Sequence, residues 1–376
     1  MTDGQVIKSK GPFEAIVAFN KPLRKCFYRM GLQFTGPGAE AFAKARPGQF
    51  AEFDLSNVAL PAPEAIPDEL KDAATKKILL RRPFSFARVV KEAAPSSQHG
   101  TGPSTPSTAH PPTGSALLTT SSLGAGPTTP STTHTPTLLG AGPSTHLGAG
   151  KTTVEVIYCV LGPATLRMTT LTKGNSISVI GPLGNGFSVP QGKKKALLVA
   201  GGMGSPPLEH LAQTLTAENS AIDTIAFAGA NSLDVMPFEK PLDKISRELG
   251  FWLGEFAKYS IQSFVATDDG SAGFKGLVSD CLVDWLKQNN IDPLQTIIYA
   301  CGPRPMLAKI ASIARDKKID CQVSMEEMMA CGIGLCQSCA IKCKVVAGGK
   351  APTPGQTINK LCCKDGPVFD SKDVVF

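Results

Sequence analysis

The sequence predicts a multi-domain β + α/β protein: an antiparallel β-barrel, a doubly wound α/β domain and a small C-terminal domain organised by cysteines. Three observations carry this reading. Short apolar runs separated by turn residues fill the first half, as in small barrels. From Lys195 onward, continuous apolar runs alternate with helical stretches, as in buried parallel sheets. Six of the eleven cysteines lie at or after Cys331, which concentrates them where a cofactor would sit.

At 376 residues, two or three domains are expected. The barrel is assigned to 1–95 and 151–192, the α/β domain to 193–323 and the cysteine domain to 324–376. Barrel strands are expected over Phe13–Phe19, Gly48–Phe53 and Ile78–Ala87, then over Val154–Val160, Leu166–Leu171 and Ile177–Ile180. Residues 55–76 read as a loop with a short helix.

Residues 96–150 hold Ser, Thr, Pro, Gly and His with no charged side chain. Leu-Gly-Ala-Gly-Pro occurs at 123–127 and again at 139–143. Such a stretch buries too little apolar surface to offset its ordering entropy. It is expected to be a disordered insertion inside a hairpin that leaves near Val90 and returns near Thr153. Its histidines, His99, His110, His134 and His146, are irregularly spaced and make poor metal ligands.

In the α/β part, Ala196–Ala200 is a strand and a helix runs from Pro207 to about Ala217. Further strands are expected at Thr224–Ala230, Ser263–Ala266 and Thr296–Ala300. Helices are expected near Leu277–Gln288 and Pro305–Asp316. The turn Gly201-Gly202-Met203-Gly204 lets a pyrophosphate approach backbone amides at a helix N-terminus. Pro207 replaces the third glycine of G-x-G-x-x-G, so tight helix-on-strand packing would also explain the turn. Tyr299-Ala-Cys301-Gly302-Pro303 and Thr267-Asp-Asp-Gly270 end other strands at the same edge, where open α/β sheets bind nucleotides.

Cys331, Cys336 and Cys339 follow the C-x4-C-x2-C spacing of a plant-type [2Fe–2S] site, which takes a distant fourth cysteine. Gly332 and Gly334 allow the tight loop that brings amide N–H groups to the sulfurs. Zinc or disulfides are the alternative. No second C-x2-C exists and no histidine follows His210, so the spacing favours iron–sulfur. Such a cluster passes one electron at a time and implies a redox protein.

Two loops stay open at this point. Arg81-Arg82-Pro83-Phe84-Ser85 suits a phosphate and a flavin edge, or is an exposed basic strand edge. Gly181-Pro-Leu-Gly184-Asn-Gly186-Phe187 is a backbone anion site or a plain turn.

Composition excludes other classes. The net charge of +7 is modest, its clusters (Lys76-Lys77, Arg81-Arg82, Lys193-Lys194-Lys195) flank apolar strands, and aromatics make up 6 %. No nucleic acid partner is expected on that basis. No run of 18 apolar residues suggests a membrane span, and Met1-Thr-Asp-Gly-Gln begins no apolar signal core. Free thiols in the cytoplasm are expected. Only His210 lies in a folded segment, so histidine-based hydrolysis has one candidate. Cofactor chemistry needs no catalytic side chain.

The combination of R-P-x-S, G-G-x-G-x-x-P, C-G-P and C-G-I-G-x-C-x-x-C…C-K-D-G-P-V-F resembles the electron-transfer subunit of class 1B dihydroorotate dehydrogenase, within the ferredoxin reductase superfamily. The resemblance covers nearly all of the chain outside 55–76 and 96–150. It implies a flavin-binding barrel, an NAD-binding domain and a [2Fe–2S] domain. It also implies an FMN-containing catalytic subunit as partner, in a heterotetramer serving de novo pyrimidine (UMP) biosynthesis. Carried over by position, FAD contacts are Arg82, Pro83, Phe84 and Ser85, then Ile157, Tyr158 and Cys159, then Ala164 and Thr165. The family has arginine where Cys159 stands, glycine where Ala164 stands and usually isoleucine where Phe84 stands.

NAD contacts are Gly201, Gly202, Gly204, Cys301, Gly302 and Pro303. No arginine follows Ala230 in Asn231-Ser-Leu-Asp234, so NAD is expected over NADP. The resemblance implies Cys331, Cys336, Cys339 and Cys363 as cluster ligands, the last because it precedes Lys-Asp-Gly-Pro as in the family. Cys343 and Cys362 are assigned to packing. The long gap from Cys339 to Cys363 is assigned to an extended turn at 348–354. Glu326 and Glu327 resemble the family's Ser-Met-Glu-Glu and contact flavin or nicotinamide, or end a solvated strand. NAD accepts two electrons as hydride and a cluster passes single ones, so FAD must stand between them. The competing readings are an NAD(P)H reductase with a ferredoxin- or sulfide-linked partner, and a non-enzymatic metal-binding scaffold.

Overall fold

Burial alternates residue by residue along Ser176–Leu183, whereas Lys195–Gly201 is buried at every position but its first. The first pattern makes a barrel wall and the second a central parallel strand. The computed structural model describes residues 12–92, 150–217, 222–238, 253–345 and 355–376. The expected disorder of 96–150 and the expected turn at 348–354 lie outside these, apart from Gly150.

The barrel strands are β1 (Pro12–Arg24), β2 (Phe27–Phe34), β3 (Phe50–Phe53), β4 (Arg82–Glu92), β5 (Lys151–Cys159) and β6 (Ser176–Leu183). They close in the order β1-β2-β5-β4-β3-β6 with antiparallel neighbours. Glu92 pairs with Lys151, so the insertion does interrupt a β4–β5 hairpin. Short helices α1 (Gly36–Phe42), α2 (Lys71–Thr75) and α3 (Pro163–Met168) decorate it.

Two sequence expectations need correction. β2 was not anticipated, because six of its eight residues are buried and no alternation marks it. Leu166–Leu171 was expected as a strand. It begins in α3 instead, which starts at Pro163, and the Thr165 hydroxyl accepts from the Leu161 and Gly162 amides at 3.0 and 3.2 Å.

The second sheet contains β7 (Lys195–Gly201), β8 (Asp223–Ala230), β9 (Gln262–Thr267), β10 (Phe274–Lys275), β11 (Thr296–Cys301), β12 (Asp320–Ser324) and, beyond the hairpin of β13 (Ala340–Lys344) with β14 (Thr357–Leu361), β15 (Val368–Asp370). Its order is β10-β9-β8-β7-β11-β12-β15, and only β15 runs antiparallel. Helices α4 (Ser205–Ala217), α5 (Gly254–Ala257), α6 (Val278–Gln288) and α7 (Arg304–Lys317) complete it. β15 therefore stitches the C-terminal segment onto the edge of the α/β sheet. Among the described residues, no helix is long and apolar enough to cross a membrane.

Barrel and sheet share a buried charged contact. Arg29 of β2 donates through Nη1 to Glu155 of β5 at 2.9 Å and through Nη2 to Glu209 of α4 at 2.7 Å. Glu255 lies 3.8 Å from the same guanidinium, and Lys258 donates to Glu209 at 2.6 Å. Burial alone would lower the pKa of Arg29. Glu209 and Glu155 outweigh that, and the net shift is upward. Gln213 of α4 adds reciprocal bonds to the Val89 backbone at 2.7 and 3.0 Å. These contacts set the α4 end of the parallel sheet against the barrel.

Candidate functional site

A cavity of about 270 Å³ lies where barrel, α/β sheet and C-terminal segment meet. Pro83, Phe84 and Ser85 from β4 line it, as do Ile157, Tyr158 and Cys159 from the end of β5, and Thr165 from α3. Seven of the nine expected flavin contacts thus share one wall. Arg82 is not in this lining; its Nη1 donates to the Leu80 carbonyl at 2.9 Å. Ala164 is buried in the barrel core instead.

The cavity's far side is Gly204, Pro206, Cys301 and the run Ser324–Glu327, with Met329 and Pro367. Gly204 and Cys301, expected at the nucleotide, therefore face the flavin-side cavity. The reason is a close approach. A Cβ on Gly204 would stand 2.0 Å from the Cys301 carbonyl oxygen, so the turn after β7 is pressed onto the turn after β11.

A larger cavity of about 660 Å³ opens at the carboxyl ends of the parallel strands. Gly201, Gly202 and Pro303 line it, whereas Gly302 does not. Asn231 and Asp268, from turns the sequence had placed at this edge, line it too, as do the first turn of α6 and Lys309, which sequence reasoning had missed. Helix starts and strand ends at one sheet edge are the arrangement that holds nucleotides. The missed residues carry no motif of their own; they are found only once the strands are in order.

The cysteine loop follows Met329 within two residues. Gly332 and Gly334 take φ of 65° and 86°, and Gln337 takes 59°. These left-handed turns curl the loop so that amides face sulfur. The Cys336 amide donates to Cys331 Sγ at 3.4 Å, and the Cys363 amide donates to Cys339 Sγ at 3.4 Å. Cys339 and Cys363 sulfurs stand 3.3 Å apart. Ser338 Oγ lies 3.2 Å from Cys336 Sγ, and it and then Cys331 bring the Cys336 thiol down to about 6. Burial and then Cys339 push Cys363 up to about 12. Among the described residues, no three side chains surround a single-ion position. Four thiols with amide donors suit an iron–sulfur cluster, whose charge such N–H groups stabilise. Cys343 and Cys362 are both fully buried, and the Cys362 thiol donates to the Met325 carbonyl at 3.3 Å.

The Gly181–Phe187 loop acts as a clamp. Asn185 Nδ2 donates to the Asp365 and Lys364 carbonyls at 3.0 and 3.3 Å. It ties the barrel to the segment that carries Cys363.

Glu52 of β3 lies beneath this junction. It is buried, and both carboxylate oxygens lack a hydrogen-bond partner among the described residues. A Cβ on Gly332 would stand 2.3 Å from its Oε1, so cluster loop and barrel touch here. Burial pushes Glu52 up to about 7 from 4.5, with Arg82 and Arg81 opposing. The folded carboxyl then keeps its proton through a range where the unfolded one has lost it. The contribution of Glu52 to stability falls as pH rises from about 4.5 to about 7. Glu52→Gln is expected to leave stability unchanged below that window and to raise it by about 3 kcal/mol above it. Urea unfolding of both proteins at the two ends of the range measures this; equal stabilities throughout would refute the shift.

Barrel, parallel sheet and cysteine loop together define a ferredoxin-reductase-type oxidoreductase component. A family model described as the iron–sulfur cluster binding domain of dihydroorotate dehydrogenase B matches residues 326–375. A protein of Clostridium perfringens (strain 13 / Type A) named dihydroorotate dehydrogenase B (NAD(+)), electron transfer subunit, is 32 % identical over 225 residues, covering 59 % of this chain and 76 % of that one. The protein of the same name from Geobacillus sp. (strain WCH70) is 36 % identical over 222 residues, covering 58 % and 73 %. The chain belongs to this family of dihydroorotate dehydrogenase B electron transfer subunits. A solved NADH-dependent reduced ferredoxin-NADP oxidoreductase, reported for flavin-based electron bifurcation, shares the fold, with a TM-score of 0.56 and 20 % identity over 96 % of this chain and 89 % of that one.

Proposed function

We propose that this chain carries electrons from an FMN-containing dihydroorotate dehydrogenase subunit to NAD+, in de novo pyrimidine synthesis. The observation that supports it best is continuity. Ser324–Glu327, Met329 and Pro367 wall the smaller cavity, and the same two segments run directly into the cysteine loop and Cys363. Held by these segments, a [2Fe–2S] cluster would supply one-electron transfer and a flavin the exchange between single electrons and the hydride that NAD+ takes up.

The chain's residues position these groups. Cys331, Cys336, Cys339 and Cys363 would hold the iron. Pro83–Ser85 and Ile157–Cys159 would form the flavin's barrel-side wall, with Arg82 at its margin and Ala164 behind it. The cavity lining is mostly apolar with a few hydroxyls (Ser85, Thr165, Ser324), as flat aromatic cofactors require. Gly201, Gly202 and Pro303 would line the nucleotide's pyrophosphate end, with Gly204, Cys301 and Gly302 shaping the passage toward the flavin. Glu326 and Glu327 line the smaller cavity. The residue blocks 1–95 with 151–192, 193–323 and 324–376 then correspond to one cofactor each.

A partner must reach the cluster. Met328, Ile333 and Leu335 are exposed to 87 %, 48 % and 76 % around the cysteine loop. Such a collar of large apolar groups is where the catalytic subunit would dock. Two copies of each subunit in a heterotetramer complete the proposal, checked by the mass of the complex. All eleven cysteines are unbridged, which suits the cytoplasm. Leu335→Asp is expected to weaken the complex by about tenfold or more, the effect of losing one central apolar anchor. Its flavin and iron content should stay unchanged. Undiminished binding in titration calorimetry would place the partner elsewhere.

A further inference from the structure

Two thiols outside the cysteine loop touch. Cys26 Sγ and Cys159 Sγ are 2.9 Å apart. Cys26 sits in the β1–β2 turn and Cys159 at the last position of β5, paired with Phe27. The Val160 amide donates to the Cys26 carbonyl at 2.8 Å, which holds the two backbones together at this point. The turn is further fixed from outside. Lys25 takes a left-handed φ of 40°, and Arg24 donates to the Leu233 carbonyl beyond β8. Neighbouring positions on adjacent strands, held by their own hydrogen bonds, are where a disulfide closes with little backbone movement. Both cysteines are partly exposed, so a small molecule can reach them. Cys159 also lines the smaller cavity.

We propose that Cys26 and Cys159 are a redox-modification site in the wall of this cavity, closing to a disulfide on exchange with a low-molecular-weight disulfide of the glutathione class. The order of attack follows from the environments. Burial and then the contact with Cys26 push Cys159 up to about 12, which disfavours its thiolate, so Cys26 is the attacking sulfur and Cys159 the resolving one. The Cys26 thiolate bonds to one sulfur of the small disulfide, whose other half leaves as a thiolate and takes a proton. Cys159 then attacks Cys26 Sγ and releases its proton, and the second half leaves and is protonated. Two protein thiols are oxidised and one small disulfide is reduced to two thiols. The closed bond ties the β1–β2 turn to the strand end that carries Ile157 and Tyr158, so the redox state of the thiol pool is written onto the cavity wall. A reducing cytoplasm keeps the pair open, and a rise in oxidised glutathione closes it.

The test uses the full chain with its flavin and iron in place. It is treated with oxidised glutathione under argon, quenched in acid, alkylated and mapped by peptide mass spectrometry. The expected result is a linked pair of peptides holding Cys26 and Cys159, lighter by two hydrogens than their sum. Cys159→Ser should retain glutathione on Cys26, and Cys26→Ser should leave Cys159 free. Recovery of either wild-type cysteine as a free thiol, or of an unresolved glutathione adduct on Cys26, overturns the proposal. So does glutathione on Cys159 in Cys26→Ser.

Discussion

Arg29→Met is expected to destabilise the protein by about 3–5 kcal/mol, the range seen when one partner of a buried ion pair is removed. Arg29, Arg88 and Lys258 face Glu155, Glu209 and Glu255, three charges against three. Glu209 and Glu255 are almost without solvent contact. Taking away the central cation leaves carboxylates whose desolvation is no longer offset. The methionine fills much of the space, so the loss is electrostatic and not a cavity effect. The network joins β2 and β5 of the barrel to α4 and α5 of the sheet. Its failure should therefore loosen the seat of the smaller cavity as well as lower the melting temperature. Urea unfolding gives the stability and flavin retention on a desalting column gives the seat. A variant within about 1 kcal/mol of the parent would mean that the pairs merely break even with water.

Cys363→Ser is expected to abolish iron binding while much of the flavin remains. Cys363 is buried, within 3.3 Å of Cys339, and its amide also serves the Cys339 sulfur. Removing it therefore takes a ligand and disturbs a donor. Even changes outside the ligand shell cost metal sites 10–100-fold, so partner-linked NAD+ reduction should fall by more than about 100-fold. NADH oxidation with ferricyanide, which draws on flavin directly, should survive. Cys362→Ser is the control. Its sulfur is turned to the Met325 carbonyl, and serine can keep that bond. If Cys362→Ser lost the iron and Cys363→Ser kept it, the fourth ligand would be the wrong neighbour of the pair.

The cysteine spacing and the alternation of strand and helix after Lys195 were legible because each is local. A C-x4-C-x2-C loop and a parallel strand both declare themselves within a dozen residues. β2 was not legible, since burial on nearly every position erases the period of two. α3 was mistaken because Leu166–Leu171 looks apolar enough for a strand, and the signal lay in Pro163 before it. The clamp at Asn185 could not be read either, because its partners lie some 180 positions further on. The Arg29 network and the Cys26–Cys159 contact share that reason. Each joins side chains that only the folded chain brings together, across the barrel–sheet contact in one case and between β5 and the β1–β2 turn in the other.

The most direct test mixes the purified, iron- and flavin-loaded chain with the FMN-containing catalytic subunit, then supplies dihydroorotate and NAD+. A stable complex that forms NADH and orotate in equal amounts, and that loses this activity with Cys363→Ser, is the expected result. A chain that carries flavin and iron yet neither binds that subunit nor forms NADH from dihydroorotate would contradict the proposed electron path.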